Sequence, residues 1–531
     1  MTSTNRNWVY PNSLKALPLH QPHIYPQGTP HAVSSSLPTW QSVRDLAELV
    51  DRTQVDINYS YPRFFFCEPI QSLVERVRQR LKFGPDDLDC YIFPSSDNAN
   101  DYVAQLGAKA ITVHHFSALL VPPGHKACLM NIWAELGTSI TTRHAQYCLD
   151  HFDELMSTSS LPEYNTQADR EPSHDPDSAE WIRRGASDLA ALKDFIAGLA
   201  TSDEQDLTDV EAHDVFIYPN GMNAIYNASE AIAVNNLGTS VVTFGWIYHG
   251  TLSNLRQGQW KEVISFPLGR EEDLDQLEAM LNPNDKKVYA VFCELPSNIK
   301  LTSPNLRRLR RIARDHDLVV VCDETVGNFV NVDLLPYVDI ITTSLTKMFS
   351  GAANVTGGSV IVNPNSRHYD ALHDAIRSRH DTVLCFPKDI SVLRENSMNM
   401  VERVKRADAS TLDVMKVFHR SQCSCPRLPS ISRPRIQELR NAPPTKWRTR
   451  QSLQSDICKG ASFGANFTIA IPFVQLTASD DDERENIDRH GLPKHIIRIS
   501  VGLEDSGQIC DKMKAALGEV ETFELGPGSE F

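Results

Sequence analysis

The 531-residue chain lacks the features that define several classes of protein. No run approaches the roughly 18 apolar residues that a membrane-spanning helix needs, and the N-terminus shows no signal-peptide pattern, so we expect a cytoplasmic protein without a membrane partner. The 11 cysteines form no C-x-x-C pair, which argues against a zinc cluster or a disulfide framework. Adjacent His114 and His115 cannot share a metal from one side of a strand or helix, so we assign no metal.

An excess of positive charge is also missing. The chain has 52 Lys and Arg against 67 Asp and Glu, which gives a formal net charge of −15. This balance disfavours binding along a phosphate backbone, so we do not expect a nucleic-acid partner. Hydrophobic residues make up 41% of the chain, which is enough to bury a sizeable core and predicts a globular protein.

Three stretches have little apolar periodicity. Residues 1–40 are rich in Pro, His and Ser and predict an extended arm. Residues 157–180 are polar and acidic and predict a disordered loop, and residues 423–449 are Pro-rich and basic and predict a surface loop. We predict three regions along the chain: an N-terminal arm and extended segment over 1–205, a cofactor-binding major domain over 206–365, and a C-terminal domain over 366–531.

Short runs of β-branched residues alternate with helical patterns, which indicates an α/β architecture. Residues 303–316 are predicted to form a helix, with Ser303 as its N-cap and Pro304 as its first residue. A further helix is predicted over residues 69–82. The predicted strands of a buried parallel sheet are KVYAVFC (287–293), LVVVC (318–322), IITT (340–343) and GSVIV (358–362).

Two ionisable residues directly follow predicted strands. Asp323 ends the segment LVVVCD, and Lys347 ends the segment IITTSLTK. Because the carboxyl ends of parallel strands meet at one edge of a sheet, we expect both side chains to face one cavity. A lysine amine and a carboxylate in one cavity suit pyridoxal phosphate, which needs a Schiff-base amine and a partner for its ring nitrogen. Either residue alone is also compatible with a solvated lysine or a helix-capping aspartate.

A glycine turn lies upstream of these strands. The run VFIY is followed by PNGMNAIYNASEAI, so Gly221 and Met222 fall between a strand and a helical pattern. Backbone N–H groups at the N-terminus of a helix attract anions. The turn therefore predicts a phosphate site, although a glycine turn alone is a weak signal.

Taken together and in this order, these residues resemble the cystathionine gamma-synthase group of the Cys/Met metabolism family of pyridoxal-phosphate enzymes. The resemblance covers about residues 205–510, and the segment ending in YPRFFF is similar to the longer fungal-type members. It implies an α/β protein with the fold-type I, aspartate aminotransferase-like architecture. That architecture combines a major domain around a mostly parallel sheet with a smaller C-terminal α/β domain, and its cofactor is pyridoxal 5'-phosphate.

The resemblance also implies roles for individual residues. Lys347 in SLTK is similar to the Schiff-base lysine, and Tyr248 in IYHGTL is similar to the tyrosine that stacks on the cofactor ring; both are implied to be catalytic. The other implied contacts are Asp323 for the ring nitrogen; Gly221, Met222, Ser344 and Thr346 for the phosphate; Asn298 for the pyridoxal oxygen and the substrate; Arg498 for the substrate α-carboxylate; Ser462 for orienting the lysine amine; and Tyr61 and Arg63 for the phosphate of a neighbouring subunit.

The implied reaction is γ-replacement on a small molecule, O-acetyl- or O-succinyl-L-homoserine. A vinylglycine-type ketimine would accept a thiol such as cysteine and give cystathionine. The sequence departs from the family pattern at Trp246, Ile299, Ala352 and Ala353. A carbon nucleophile in fungal secondary metabolism therefore stays open, and γ-lyase chemistry is a further alternative. If a neighbouring subunit supplies Tyr61 and Arg63, the protein is a homodimer or homotetramer with shared active sites.

A different class of enzyme is suggested by residues 460–464, which read GASFG and match the G-x-S-x-G nucleophile elbow of serine hydrolases. His490 and His495 follow Ser462 in hydrolase order. That motif requires a strand before the serine, and the polar residues preceding it predict none. We therefore favour Ser462 as a residue that orients Lys347.

Overall fold

The structure is a computed structural model of the chain. Its described residues are 31–34, 61, 63, 66–84, 87–95, 106, 108–113, 115–122, 133–158, 176–282, 287–380, 384–420, 457–459, 462–474, 487, 491–494 and 496–524. The predicted loop at 423–449 lies outside this set. The predicted loop at 157–180 is described only at its ends, where helices reach Thr158 and begin again at Pro176.

A seven-stranded sheet forms the centre of the major domain. Its strand order is β4-β10-β9-β8-β7-β5-β6. The five neighbouring strands β9, β8, β7, β5 and β6 run parallel to one another. This arrangement confirms the predicted fold class, fold-type I with a mostly parallel sheet. The strands are β4 (Val215–Tyr218), β5 (Ser240–Phe244), β6 (Val263–Phe266), β7 (Val288–Glu294), β8 (Val319–Asp323), β9 (Ile340–Thr343) and β10 (Gly358–Val362).

Both faces of this sheet are covered by helices, which explains why its strands are apolar at consecutive positions. On β8, Val320 and Cys322 point into the larger core cluster, while Val319 and Val321 point into the cluster on the opposite face. The α-helices of the described residues are α1 (Glu68–Leu81), α2 (Thr142–Asp150), α3 (Phe152–Thr158), α4 (Pro176–Ala200), α5 (Gly221–Val234), α6 (His249–Gln257), α7 (Glu271–Leu281), α8 (Leu306–Asp315), α9 (Tyr369–Arg379), α10 (Pro387–Ser397), α11 (Met400–Arg420) and α12 (Ser506–Glu524).

Two predictions about this domain were wrong in detail. The strand β10 lies between β4 and β9 in the sheet and runs antiparallel to both of them. The helix α8 begins at Leu306 and is capped by Asn305, whose side-chain oxygen accepts the backbone N–H of Arg308 at 3.1 Å. An Asn side chain at the N-cap satisfies a free helix donor, so Ser303 and Pro304 precede the helix instead of starting it.

The N-terminal region contains a packed unit of its own. Three strands, β1 (Asp89–Phe93), β2 (Lys109–Val113) and β3 (Phe116–Val121), form an antiparallel sheet in the order β1-β3-β2. The helix α1 begins one residue before the prediction and ends at Leu81, with Leu73, Val74 and Val77 buried as its spacing predicts. The division of the chain into three regions stays a prediction.

The C-terminal part adds a second small sheet. Its strands are β11 (Cys458–Lys459), β12 (Ile469–Pro472) and β13 (Ile497–Ser500), and α11 packs against α12 beside them. Asn466 donates its backbone N–H to the carbonyl of Gly351 at 2.7 Å, which ties this sheet to the loop after β9. In the described part of the chain, none of the helices is both long and apolar enough to span a membrane.

Candidate active site

The candidate site lies at the carboxyl ends of the parallel strands. Asp323 ends β8, Lys347 follows β9, and Tyr248 and Asn298 follow β5 and β7. Their side chains are partly accessible to solvent, although the strands that carry them are almost entirely buried. The structure therefore brings the residues predicted from strand ends to one open cleft, as the topology of a parallel sheet requires.

The Lys347 amine lies between polar and aromatic groups. Its Nζ donates to Ser462 Oγ at 3.1 Å, and the ring centroids of Tyr61 and Phe463 lie 4.6 and 5.1 Å from it. Burial lowers the pKa of Lys347, the Tyr61 hydroxyl raises it, and the charges of Arg498 and Arg63 lower it again. A lowered pKa increases the fraction of neutral amine, which is the nucleophilic form.

A carboxyl pair lies deeper in the cleft. Asp323 and Glu294 are register partners on β8 and β7, and Asp323 also accepts the backbone N–H of Thr325 at 2.9 Å. Burial, together with the neighbouring Asp323, raises the pKa of Glu294 to about 8, and burial also raises the pKa of Asp323. Two adjacent buried carboxyls resist ionising together, so Glu294 retains its proton near neutral pH.

Glu294 was not predicted as a site residue. Its two carboxyl oxygens accept the backbone N–H groups of Tyr248 and Asn298, the latter at 2.9 Å. Glu294 therefore connects the two loops that carry these side chains. The available signal was its place at the end of β7, where the strand-end rule that selected Asp323 applies equally.

The predicted phosphate turn has the expected geometry. The helix α5 begins at Gly221, and its N-cap Asn220 accepts the backbone N–H of Asn223 at 3.0 Å. This leaves the first amides of the helix, those of Gly221 and Met222, without intrahelical acceptors. A Cβ on Gly221 would lie 2.7 Å from the Cβ of Ser344, so only glycine fits there.

The segment after β9 forms the opposite side of this turn. The backbone N–H of Ser344 donates to Thr325 Oγ1 at 2.8 Å, a contact that sequence reasoning did not predict. The Thr346 hydroxyl contacts the backbone of Gly357, accepting its N–H at 3.1 Å. These contacts fix Ser344 and Thr346 beside Gly221.

Tyr61 and Arg63 lie in the site of their own chain. Arg63 Nη2 donates to the Tyr248 hydroxyl at 3.0 Å, and Nη1 donates to the carbonyl of Ala134. Burial alone would raise the pKa of Tyr61, but the nearby cations Lys347 and Arg63 lower it below its ordinary value. The inserted segment that holds Ala134 thus contacts Arg63 within the same chain, and contact of Tyr61 and Arg63 with the phosphate of a neighbouring subunit stays a prediction. A homodimer or homotetramer with shared active sites stays a prediction.

Arg498 lies at the other end of the cleft. Its Nη2 donates to the carbonyl of Ser462 at 3.0 Å, and its Nη1 donates to Asn298 Oδ1 at 3.2 Å. The ring of Phe463 lies 5.1 Å from the guanidinium carbon of Arg498 and 5.1 Å from the amine of Lys347. Phe463 was not predicted, and its ring contacts both the amine of Lys347 and the guanidinium of Arg498.

The prediction that no strand precedes Ser462 was wrong, because the short strand β11 pairs parallel with β12. Nucleophile-elbow chemistry is nevertheless disfavoured, since the Ser462 hydroxyl accepts the Lys347 amine. His490 and His495 lie outside the described residues.

Comparison with known proteins identifies the class of this chain. It belongs to the Cys/Met metabolism PLP-dependent enzyme family, whose sequence profile matches residues 163–425. The cystathionine gamma-synthase-like protein ankD of Aspergillus thermomutatus is 34% identical over 94% of this chain and 94% of its own length. The chain is thus a PLP-dependent enzyme of the cystathionine gamma-synthase type.

Other similar proteins fall in the same class. A cystathionine gamma-synthase of Neurospora crassa is 26% identical over 93% of this chain and 97% of its own length. Among solved structures, a cystathionine gamma-lyase from Lactobacillus plantarum complexed with L-serine aligns with a TM-score of 0.49 and 17% identity. That alignment covers 69% of this chain and 96% of the other.

The residues of the cleft fit pyridoxal phosphate. The amides of Gly221 and Met222 at the start of α5 suit a phosphate group, and the absence of a Cβ on Gly221 lets Ser344 lie close beside them. Asp323 supplies a carboxyl group at the end of β8, and Lys347 supplies an amine of lowered pKa after β9. These groups would hold the cofactor by its phosphate, its ring nitrogen and its aldehyde carbon.

Proposed function

We propose that this enzyme catalyses γ-replacement on an O-activated L-homoserine, O-acetyl or O-succinyl, and adds a thiol such as that of cysteine to give cystathionine. The observation that carries the proposal is that the Lys347 amine and the Arg498 guanidinium both lie 5.1 Å from the centre of the Phe463 ring. An α-amino acid lying across that ring would present its amino group to Lys347 and its carboxylate to Arg498. The names of the relatives, cystathionine gamma-synthase and cystathionine gamma-synthase-like protein, agree with this reaction.

Arg498 is proposed to bind the α-carboxylate. Its guanidinium is held by Asn298 and by the carbonyl of Ser462, so it offers a fixed donor pair to the substrate. Burial lowers the pKa of Arg498 to about 10, which still leaves it charged at neutral pH. Asn298 and Ser462 thereby position the group that binds the substrate.

Lys347 is proposed to move protons at the α and β carbons of the substrate. Bound pyridoxal phosphate supplies an electron sink that makes these carbons acidic. The Lys347 amine accepts and returns protons, and Ser462 Oγ orients it. Burial and the charges of Arg498 and Arg63 lower its pKa, which increases its neutral fraction. The Tyr248 hydroxyl, held by Arg63, is placed to donate a hydrogen bond in the same cleft.

Two related outcomes use the same residues. A carbon nucleophile in place of the thiol would give a non-proteinogenic amino acid of fungal secondary metabolism, and γ-lyase chemistry would release a 2-oxo acid. The departures at Trp246 and Ile299 keep the identity of the nucleophile open, since Trp246 lies just before Tyr248 and Ile299 directly follows Asn298.

The test is product analysis by mass spectrometry. The cofactor-loaded protein is incubated with O-acetyl- or O-succinyl-L-homoserine, with and without cysteine. We expect cystathionine only when cysteine is present, and no product from the Lys347→Ala variant. A 2-oxo acid formed without any nucleophile would indicate a γ-lyase. Consumption of neither donor, with any nucleophile tried, would contradict the proposal.

A further inference from the structure

The loop after β7 carries a strained backbone on both sides of one lysine. Ile299 has φ of +96° and Leu301 has φ of +51°, so both residues flanking Lys300 are in the left-handed region without being glycine. Such a conformation is unfavourable for a β-branched residue like isoleucine. Strain of this kind persists only where the surrounding contacts enforce it, and it concentrates at functional sites.

Several hydrogen bonds enforce this conformation. The backbone N–H of Ser297 donates to the carbonyl of Thr302 at 2.9 Å, and the N–H of Leu301 donates to the carbonyl of Ser297 at 3.0 Å. The hydroxyls of Ser297 and Thr302 lie 2.9 Å apart, and Glu294 accepts the N–H of Asn298 at 2.9 Å. The loop is therefore a closed turn that presents Lys300 in one fixed direction.

Lys300 is directed at the ring of Trp246. Its Nζ lies 5.7 Å from the centroid of that ring, which is within the range of a cation–π contact. A Cβ on Gly491, whose φ is +83°, would lie 3.4 Å from Nζ, so the absence of a side chain at this position leaves open space beside the ammonium. The ammonium is thus held between an aromatic face and a glycine.

This ammonium is short of negative charge. Within the described part of the chain, Lys300 forms no ion pair, and burial together with the charge of Arg270 lowers its pKa, which Asp273 partly offsets. A half-buried cation without a carboxylate partner is unfavourable unless an anion joins it.

Packed side chains and short stretches of chain connect the lysine to the proposed substrate site. Asn298, two residues earlier, contacts Arg498, and Trp246 lies two residues before Tyr248. The rings of Trp246 and Phe473 pack in one apolar cluster with Ile299, and Phe473 lies 5.3 Å from the Arg498 guanidinium. An apolar wall therefore runs from the position of the substrate carboxylate to Lys300.

We propose that Lys300 is a specificity-determining residue that binds a second negative charge, a carboxylate or phosphate carried by one of the two substrates beyond its reacting atoms. The inference rests on the proposed function and narrows its substrate class. The anion belongs either to the leaving group of the homoserine ester, as in a succinyl ester, or to the nucleophile. A purely uncharged substrate pair would leave Lys300 without a ligand.

Binding to the cofactor-loaded enzyme tests this proposal without requiring turnover. The probes are L-2-aminoadipate and its neutral six-carbon counterpart L-norleucine, and dissociation constants come from the rise in melting temperature. We expect Lys300→Met to weaken aminoadipate binding about tenfold or more and to leave norleucine binding unchanged. Lys300→Arg should restore most of the lost aminoadipate affinity. Lys261→Met is the matched control, because this exposed lysine lies before β6, at the amino ends of the parallel strands and not at their carboxyl ends.

Kinetics then identify the source of the anion. An increase in KM of Lys300→Met for O-succinyl- but not O-acetyl-L-homoserine places the anion on the leaving group. An increase for cysteine or 3-mercaptopropionate but not for 2-mercaptoethanol places it on the nucleophile. Equal aminoadipate binding by wild type and Lys300→Met, or an equal loss in Lys261→Met, would overturn the proposal. The proposed function fails separately, if wild type consumes neither ester.

Discussion

Buried carboxyl groups make the site sensitive to pH at the level of single residues. Besides Asp323 and Glu294, the next residue Glu324 is almost inaccessible to solvent. Its Oε1 accepts the hydroxyl of Thr343 at 2.7 Å, and its Oε2 accepts the backbone N–H of Phe329 at 2.5 Å. Burial raises the pKa of Glu324 to about 8 despite these bonds.

The first prediction concerns Glu324→Gln. Because the folded pKa of Glu324 is above its unfolded value, its stabilising contribution is complete below about pH 4.5 and is lost as the pH rises towards 8. A glutamine keeps the Phe329 bond and can donate to the Thr343 hydroxyl. The variant should therefore match wild type near pH 4 and be more stable by about 5 kcal/mol near pH 9, measured as urea midpoints.

The control for this prediction is Glu272→Gln, an exposed glutamate in the first turn of α7. Its stability difference from wild type should stay nearly constant over the same pH range. A difference between Glu324→Gln and wild type that is also constant with pH would contradict the raised pKa.

Substrate binding gives a second prediction at this scale. Arg498→Ala should raise KM for the homoserine ester at least about tenfold and lower kcat/KM, because the substrate carboxylate loses a charged donor. Cofactor absorbance between about 300 and 500 nm should remain, since Arg498 contacts Ser462 and Asn298 and not the phosphate turn. Arg377→Ala, an exposed arginine on α9, is the matched control. Unchanged kinetics in Arg498→Ala would remove this residue from the pocket.

At the scale of elements, the N-terminus of α5 lies so close to the segment after β9 that a side chain at Gly221 would not fit between them. Gly221→Ala would place a methyl group 2.7 Å from the Cβ of Ser344 and displace the turn. We predict at least about a tenfold loss of pyridoxal-phosphate affinity, measured by absorbance titration of the cofactor-free protein. Gly198→Ala in α4, where a Cβ meets no atom within 4 Å, should leave that affinity unchanged. Equal affinities in both variants would contradict a phosphate site at Gly221.

Some features of these elements could be predicted from the sequence and others could not. Asp323 and Lys347 were found because each follows an apolar run, and parallel strands place such residues at one edge. The direction of β10 was not found, because hydrophobic periodicity carries no information about whether a strand pairs parallel or antiparallel. The roles of Glu294 and Phe463 depend on contacts between distant segments, and a single sequence does not encode these locally.

At the scale of the whole molecule, the N-terminal unit is attached to α10 through Asp389. Asp389 Oδ1 accepts Arg143 Nη1 at 3.0 Å, and its Oδ2 accepts the Thr141 hydroxyl at 2.5 Å. Both charged side chains of this pair are nearly buried, with 12% and 8% of their surface exposed. The segment between them and α1 also supplies Ala134, which anchors Arg63 in the site.

We predict that Asp389→Ala destabilises the protein by about 3 kcal/mol, because it leaves Arg143 buried without its carboxylate. The urea midpoint of the cofactor-loaded protein measures this loss. Asp374→Ala removes an exposed partner of Arg377 and should change stability by less than about 1 kcal/mol. An effect of Asp389→Ala no larger than that of Asp374→Ala would show that this pair does not attach the unit.

The assignment of Lys347 as the Schiff-base residue is tested most directly by identifying the lysine that holds the cofactor. The purified protein is loaded with pyridoxal phosphate, reduced with borohydride, digested and analysed by mass spectrometry. We expect a pyridoxyl-phosphate group on Lys347, lost in Lys347→Ala, because this amine combines a lowered pKa with the contact to Ser462 at the carboxyl ends of the parallel strands. Attachment to a different lysine, or no attachment at any cofactor concentration, would contradict it.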